Sequence, residues 1–311
     1  MRSEAMRVFA LILALFLFAL CSLGCGGQAG ITEDSSSSPS GENGSQTEPA
    51  ATENSAIPSS QAEEVLLENE FARVTFTGVK SDSFWGVSLG FLLENVSEEF
   101  SLSFSIDRMT VNGYSESVLS YQTVSPGKKV NESVSVSDSF LERTGIASLD
   151  EVVFELTVSD SEDFLAEPFC KTVLTVHPSG AAPEDVVIPE RLSYEGEQVI
   201  VDNDQLSFLI LKEDPEGFWG YTMLCYAENR SNQALTISWD DVSVNGFMCD
   251  PYFSTTLRPG TRGYFDVSFL SSSFEENGIT EVEEVEFTLR VRDADDWFAD
   301  PIYREVETYR P

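Results

Sequence analysis

Histidine is almost missing: the chain holds one, His177. A Ser-His or Cys-His nucleophile pair would have to use that residue. It stands at the edge of a proline-bearing stretch and reads as a solvated linker residue. No Gly-rich phosphate loop, no CxxC or Cys/His spacing for zinc and no EF-hand spacing occurs either. Carboxylates for glycoside hydrolysis are plentiful, but nothing places two of them in one cleft. The chain reads as non-catalytic.

Positive charge is scarce as well: 18 Lys and Arg stand against 53 Asp and Glu, a net charge of −35. Residues 61–178 carry 20 acids against 7 bases, and residues 179–311 carry 27 against 9, so the excess is spread over the chain. Such a field repels nucleic acid and anionic headgroups and excludes both as partners. It could favour cationic ligands, Ca²⁺ or a basic protein, but the solubility of an exposed surface protein is the reading that ranks first.

Long apolar runs are lacking. The one run, Val8–Leu20, is VFALILALFLFAL behind Arg2 and Arg7. It is too short for a hydrocarbon core of ~30 Å, which needs roughly 20 helical residues, and it fits the apolar region of a secretory signal. The LCSLGCGG that follows resembles the bacterial lipoprotein cleavage box, in which a small residue precedes the cysteine that receives lipid. Gly24 before Cys25 matches that box, whereas Ser22 and Leu23 stand in reversed order. Residues 1–24 are thus expected to be a signal peptide and Cys25 a lipid anchor, holding the exported protein on the outer face of the bacterial cell membrane. A diacylglyceryl group, as the resemblance implies, is a stable tether where a single acyl chain is not.

Residues 25–60 hold almost no large apolar side chain and no Lys or Arg. They cannot bury enough surface to offset their ordering entropy and should form a disordered stalk. A coil of about 35 residues spans on the order of 30–35 Å. Beyond Cys25 only Cys170, Cys225 and Cys249 remain, an odd number that leaves at least one thiol free unless chains cross-link. Whether Cys225 and Cys249 pair stays open.

What is abundant is internal repetition. Residues 101–178 superpose on 234–311 at a constant offset of 133: TVNGY (110–114) falls on SVNGF (243–247), and DSEDFLAEP (160–168) on DADDWFADP (293–301). A one-residue slip after ENVS and ENRS then brings FWG (84–86) onto FWG (218–220). The chain is a tandem duplication, with modules at 61–178 and 199–311 and a linker at 179–198. Within each module FARVTFTGV (71–79), SLSFSI (101–106) and VEFTLRV (285–291) alternate apolar and polar residues, as half-buried strands do. FWGVSLGFLLENVS (84–97) is apolar enough for a central strand. VNG and the Pro-Gly pairs at 126–127 and 259–260 are turns. About seven strands per module predict an all-β fold of two antiparallel β-sandwiches. Each also has one short helical turn: Ser139…Glu142 and Ser272…Glu275 fit capping boxes, and Gly145 and Gly278 fit left-handed helix ends.

The Gly-Cys anchor, the Ser/Glu-rich stalk, and modules with ENxS, VNG, PG, a capped helical turn and a D-x-x-D-aromatic loop resemble the immunoglobulin-like modules of Gram-positive surface lipoproteins. The resemblance implies location and fold rather than mechanism. Two readings follow: a surface binding protein for a protein or wall component, or a structural spacer without a ligand pocket of its own, with calcium as a stabilising ion in either. Calcium takes carboxylate oxygens on a flexible loop, which points to Asp293, Asp295, Asp296 and Asp300 in the second module and to Asp160, Asp163 and Glu167 in the first; the competing reading is an exposed acidic turn. Trp85 and Trp219 open the most apolar strands and are expected in the core. Phe247, Tyr252 and Phe253 have no full set of counterparts in the first module and form the candidate binding surface.

Overall fold

The alternation of apolar and polar residues resolves into strands throughout the computed structural model, which describes residues 63–82, 86–118, 120–163, 165–296 and 298–311. The leader, Cys25 and the stalk lie outside the described residues, as do Phe84, Trp85, Phe164 and Trp297. Among the described residues no helix is long and apolar enough to cross a membrane.

The first repeat runs β1 (Glu64–Glu68), β2 (Ala72–Asp82), β3 (Gly86–Asn95), β4 (Leu102–Val111), β5 (Tyr114–Glu116), β6 (Ser120–Val124), β7 (Lys129–Val136), α1 (Asp138–Thr144), β8 (Val152–Asp160) and β9 (Cys170–Val176). The second runs β10 (Gln198–Asp202), β11 (Leu206–Asp214), β12 (Thr222–Asn229), β13 (Leu235–Val244), β14 (Phe247–Met248), β15 (Ser254–Leu257), β16 (Arg262–Ser268), α2 (Ser271–Asn277), β17 (Val285–Asp293) and β18 (Tyr303–Tyr309). Each repeat therefore has nine described strands rather than seven. The extra pair includes β1 and β10, whose EVLLE and QVIVD are too short to announce a period of two.

The described strands form three sheets, of four, nine and five strands, and the buried apolar side chains gather in two core clusters. In the first repeat β1-β2-β3-β7 form one sheet, while β4, β5, β6, β8 and β9 belong to another; both line the first core, where Phe91 of β3 meets Phe154 of β8 with ring centroids 5.3 Å apart. In the second repeat β10-β11-β12-β16 pair in one sheet and β13, β14, β15, β17 and β18 in another; both line the second core, where Phe208 of β11 meets Trp239 of β13 at 6.3 Å. The strand β3 is central, paired with β2 and β7, as its continuous apolar character predicts.

The helical turns form, but neither Ser139 nor Ser272 caps its helix. In α1 the Oγ of Ser137, not Ser139, accepts the Phe140 N–H at 3.2 Å. In α2 the matching position is Leu270, which caps nothing. Gly145 (φ 70°) and Gly278 (φ 66°) end the helices in the left-handed conformation as expected.

The two repeats are not beads on a string. Strand β16 of the second lies parallel to β5 of the first, so one sheet of nine strands runs through both. Strand β11 is buried on both faces: Phe208 and Ile210 fill the second core, while Leu209 and Leu211 join the first. The segment expected as a free linker is a pinned strap. Arg191 grips Glu197 through two 2.7 Å hydrogen bonds, Tyr194 N–H donates to the same carboxylate, and Tyr114 Oη donates to the Pro189 carbonyl at 2.9 Å. His177, rather than being solvated, is half-buried with Nδ1 3.1 Å from the Asp150 carbonyl oxygen.

The hydrogen bonds from Arg191 hold the Glu197 carboxyl below the usual carboxylate range. A carboxylate depressed in the fold contributes stability that is present above its unfolded pKa and lost as pH falls through the folded value. The protection of the Tyr194 amide hydrogen, its exchange rate taken against the intrinsic rate at the same pH, is therefore expected to fall on acidification below about pH 4.5 before the cores open. Protection unchanged down to global acid unfolding would show that the pair does not hold the strap.

Candidate functional site

The duplicated VNG turn organises the most informative surface. Asn-Gly supplies the two positive φ angles that a two-residue hairpin needs: 44° and 78° at Asn112 and Gly113, 51° and 82° at Asn245 and Gly246. The Asn side chains add a second tie. Asn112 Nδ2 donates to the Ser148 carbonyl and its Oδ1 accepts from the amides of Asp150 and Glu151. Asn245 makes the same three bonds to Glu281, Glu283 and Glu284. Just upstream, a bulge in each hairpin strand puts Arg108 (φ 46°) and Asp241 (φ 52°) in the left-handed region.

The two hairpins then have different fates. The aromatic residue of the first, Tyr114, is fully buried. Arg262 N–H donates to the Gly113 carbonyl at 3.1 Å, and the Tyr264 ring stacks on Tyr114 with centroids 5.9 Å apart and an interplanar angle of 0°. The Arg262 guanidinium carbon lies 5.9 Å from the same ring's centroid. Its counterpart Phe247 is 46% exposed, and Met248 beside it 69%. A hairpin that grips the neighbouring repeat in one copy is open in the other.

Of the sequence-predicted surface, Phe247 is thus an open hairpin residue and Tyr252, 85% exposed, an open loop residue. Phe253 instead turns inward, its ring 5.7 Å from Trp239 and 6.1 Å from Phe265. Tyr252 and Phe253 line a cleft of about 560 Å³ between the repeats, together with Arg108, Glu116 and Arg143; Phe247 does not line it. Burial holds the Glu116 carboxyl above the usual carboxylate range. Met248 went unmarked because it matches Ser115, and one methionine carries no positional signal.

Trp219 is not a core residue. With Phe218 it forms the exposed tip between β11 and β12, ring centroids 4.9 Å apart and edge to face. The residue of FWG that the fold demands is the glycine. A Cβ at Gly220 would stand 2.3 Å from the Phe269 carbonyl oxygen, and one at Gly86 would stand 2.6 Å from that of Val136, the matching residue. Phe218 and Trp219 border a second cleft of about 860 Å³, with Glu142, Tyr194 and Lys212. The two clefts flank an ion pair between Arg143 and Asp266, 3.1 Å, that crosses from repeat to repeat.

No family model matches the chain, and no curated protein matches its sequence.

The acidic loops have a structural use. Asp293 Oδ1 accepts the Asp295 N–H and Asp296 Oδ1 the Phe298 N–H. In the first repeat Asp160 and Asp163 do the same for Glu162 and Leu165. These are turns closed by the carboxylates themselves. Asp295 reaches across to Arg108 at 3.0 Å. Among the described residues no three His, Cys, Asp or Glu side chains are placed to hold one metal ion, Asp300 included. The three described cysteines are free, and burial pushes the Cys225 thiol far above its ordinary range, which makes it inert.

Proposed function

We propose that the protein is a non-catalytic interaction protein, exported and lipid-anchored at Cys25, that presents two immunoglobulin-like sandwiches above the bacterial cell membrane. Its docking face is the hairpin of the second repeat, with Phe247 and Met248 at its centre. One observation carries this reading: the same hairpin in the first repeat is a protein-docking surface, with Tyr114 buried under Arg262 and Tyr264. Exposed aromatic and Met side chains on a rigid strand are what binding surfaces are built from.

The sheet shared by the two repeats supports a second reading, that of a stiff spacer whose work is to hold a neighbour at a distance. The two are separated by a photo-crosslinking residue placed at Met248 of the full chain on intact cells. One dominant protein adduct, lost in Phe247→Ser while the unfolding curve is unchanged, is the expected result. No adduct above background leaves the spacer.

A further inference from the structure

The first hairpin is an internal template for what the second accepts. The strand seated on it is Arg262-Gly263-Tyr264, in which Arg and Tyr, two residues apart, project from the same face of the strand. The backbone bond is Arg262 N–H to Gly113 O, and both side chains go to the Tyr114 ring. At the second hairpin the acceptor becomes the Gly246 carbonyl and the ring becomes Phe247. The place that Ile188 of the strap fills over Gly113, 3.1 Å from a Cβ built there, is open over Gly246.

The charge differences around the two hairpins run mostly one way: Glu116 gives way to Cys249, but three acids are gained. Where the first has Arg108, Ser117 and Ser148, the second has Asp241, Asp250 and Glu281, at the offset of 133 throughout. All three acids are exposed, and so is Glu283 beside the turn. Glu281 and Glu283 border the hairpin directly, since their backbone groups bond the Asn245 side chain. The first hairpin receives one Arg beside a local Arg. The second has replaced that Arg with an acid and added two more.

We infer that the partner taken at this hairpin is an extended, basic strand of the Arg–small–aromatic kind, added parallel to Phe247–Met248 as Arg262–Tyr264 is added to Tyr114. The inference rests on the interaction reading above and names the partner's chemistry. Main-chain bonds supply the register, the aromatic residue stacks on Phe247, the Arg lies over the ring, and further cationic residues meet the acids. A second copy of this chain is a poor occupant. Its own Arg262–Tyr264 strand is already seated on its own Tyr114, and each copy carries a net charge of −35.

The probe is a dye-labelled peptide copying residues 260–268 with the change Asp266→Lys, titrated into the full chain and followed by fluorescence anisotropy. Binding is expected to fall at least tenfold in Phe247→Ala, severalfold in Glu281→Lys, and severalfold between low and physiological salt as the charges are screened. Methylating the peptide's Arg nitrogen removes one backbone hydrogen bond and is expected to cost roughly five- to tenfold. Hydrogen exchange should slow in β14. A peptide whose binding ignores Phe247, or is matched by a scrambled sequence, overturns the inference. So does a Phe247-dependent dimer that forms without peptide, which would make the occupant a second copy. An adduct at Met248 on cells that the peptide does not displace sinks the strand class and leaves the interaction reading standing; no adduct and no peptide binding sinks both.

Discussion

Asn229→Ala is expected to destabilise the protein by about 3–4 kcal/mol, among the largest effects open to a single polar side chain here. Asn229 is fully buried. Its Nδ2 group donates to the carbonyls of Gln233, Leu257 and Arg258 at 2.8–3.1 Å, and its Oδ1 accepts from the amide and the hydroxyl of Ser231. Removing it orphans carbonyls at the end of β12, and each buried polar group left unpaired costs ~1–3 kcal/mol. Water reaches the outer carbonyls, at Gln233 and Arg258, which keeps the total well below the sum. Asn245 is the control. It makes three side-chain bonds, but at a partly exposed turn where water replaces them, so Asn245→Ala is expected to cost about 1 kcal/mol. Asn112, with the same three bonds in a buried setting, should fall between. Denaturant unfolding of the three variants gives the ranking; equal costs at 229 and 245 would mean that the buried amide is no more than a polar side chain in a turn.

That ranking also separates what the letters disclose from what they do not. The repeated VNG, ENxS and helix-ending glycines are legible because each is a local backbone demand: a positive φ, or a side-chain amide standing in for a turn. The same local logic misplaced the first helix cap, where Ser137 and Ser139 are both chemically able and only the position of the chain's entry into α1 decides. Trp219 departs from expectation for a different reason. Apolar side chains at the start of an apolar strand suggest burial, but Phe218 and Trp219 stand at a hairpin tip and stay exposed; the glycine is the constrained residue. The openness of Phe247 beside the burial of Tyr114 was beyond reach altogether. It follows from how the second repeat docks on the first, and nothing within five letters says which hairpin faces a neighbour.

That docking yields the other large effect. The chain is expected to unfold in one transition, and Tyr264→Ala to split it in two while lowering the stability of the joined state by about 2–3 kcal/mol. Tyr264 is half-buried at the margin of the first core; it stacks on Tyr114, meets Tyr226 at 5.4 Å, and accepts the Leu192 N–H of the strap at 3.2 Å. Its loss opens the join and uncovers only the margin of the first core, leaving the fully buried side chains of both in place. Tyr114→Ala is harsher, since this side chain is fully buried, and about 3–5 kcal/mol is expected, with the first repeat melting earlier. Tyr114→Phe keeps the ring and removes the hydroxyl's bonds to the Pro189 carbonyl and to Tyr264; it should cost about 1 kcal/mol without splitting the transition. The contrast between Tyr264→Ala and Tyr114→Phe makes calorimetry decisive: both touch the same stack, but only one abolishes it. If both variants unfold in a single transition, the apolar contacts of Leu209, Leu211 and Leu224 with the first core hold the repeats together by themselves. The aromatic hairpin would then be an addition to a join already made, and its open twin at Phe247 too weak to hold a partner by the same means.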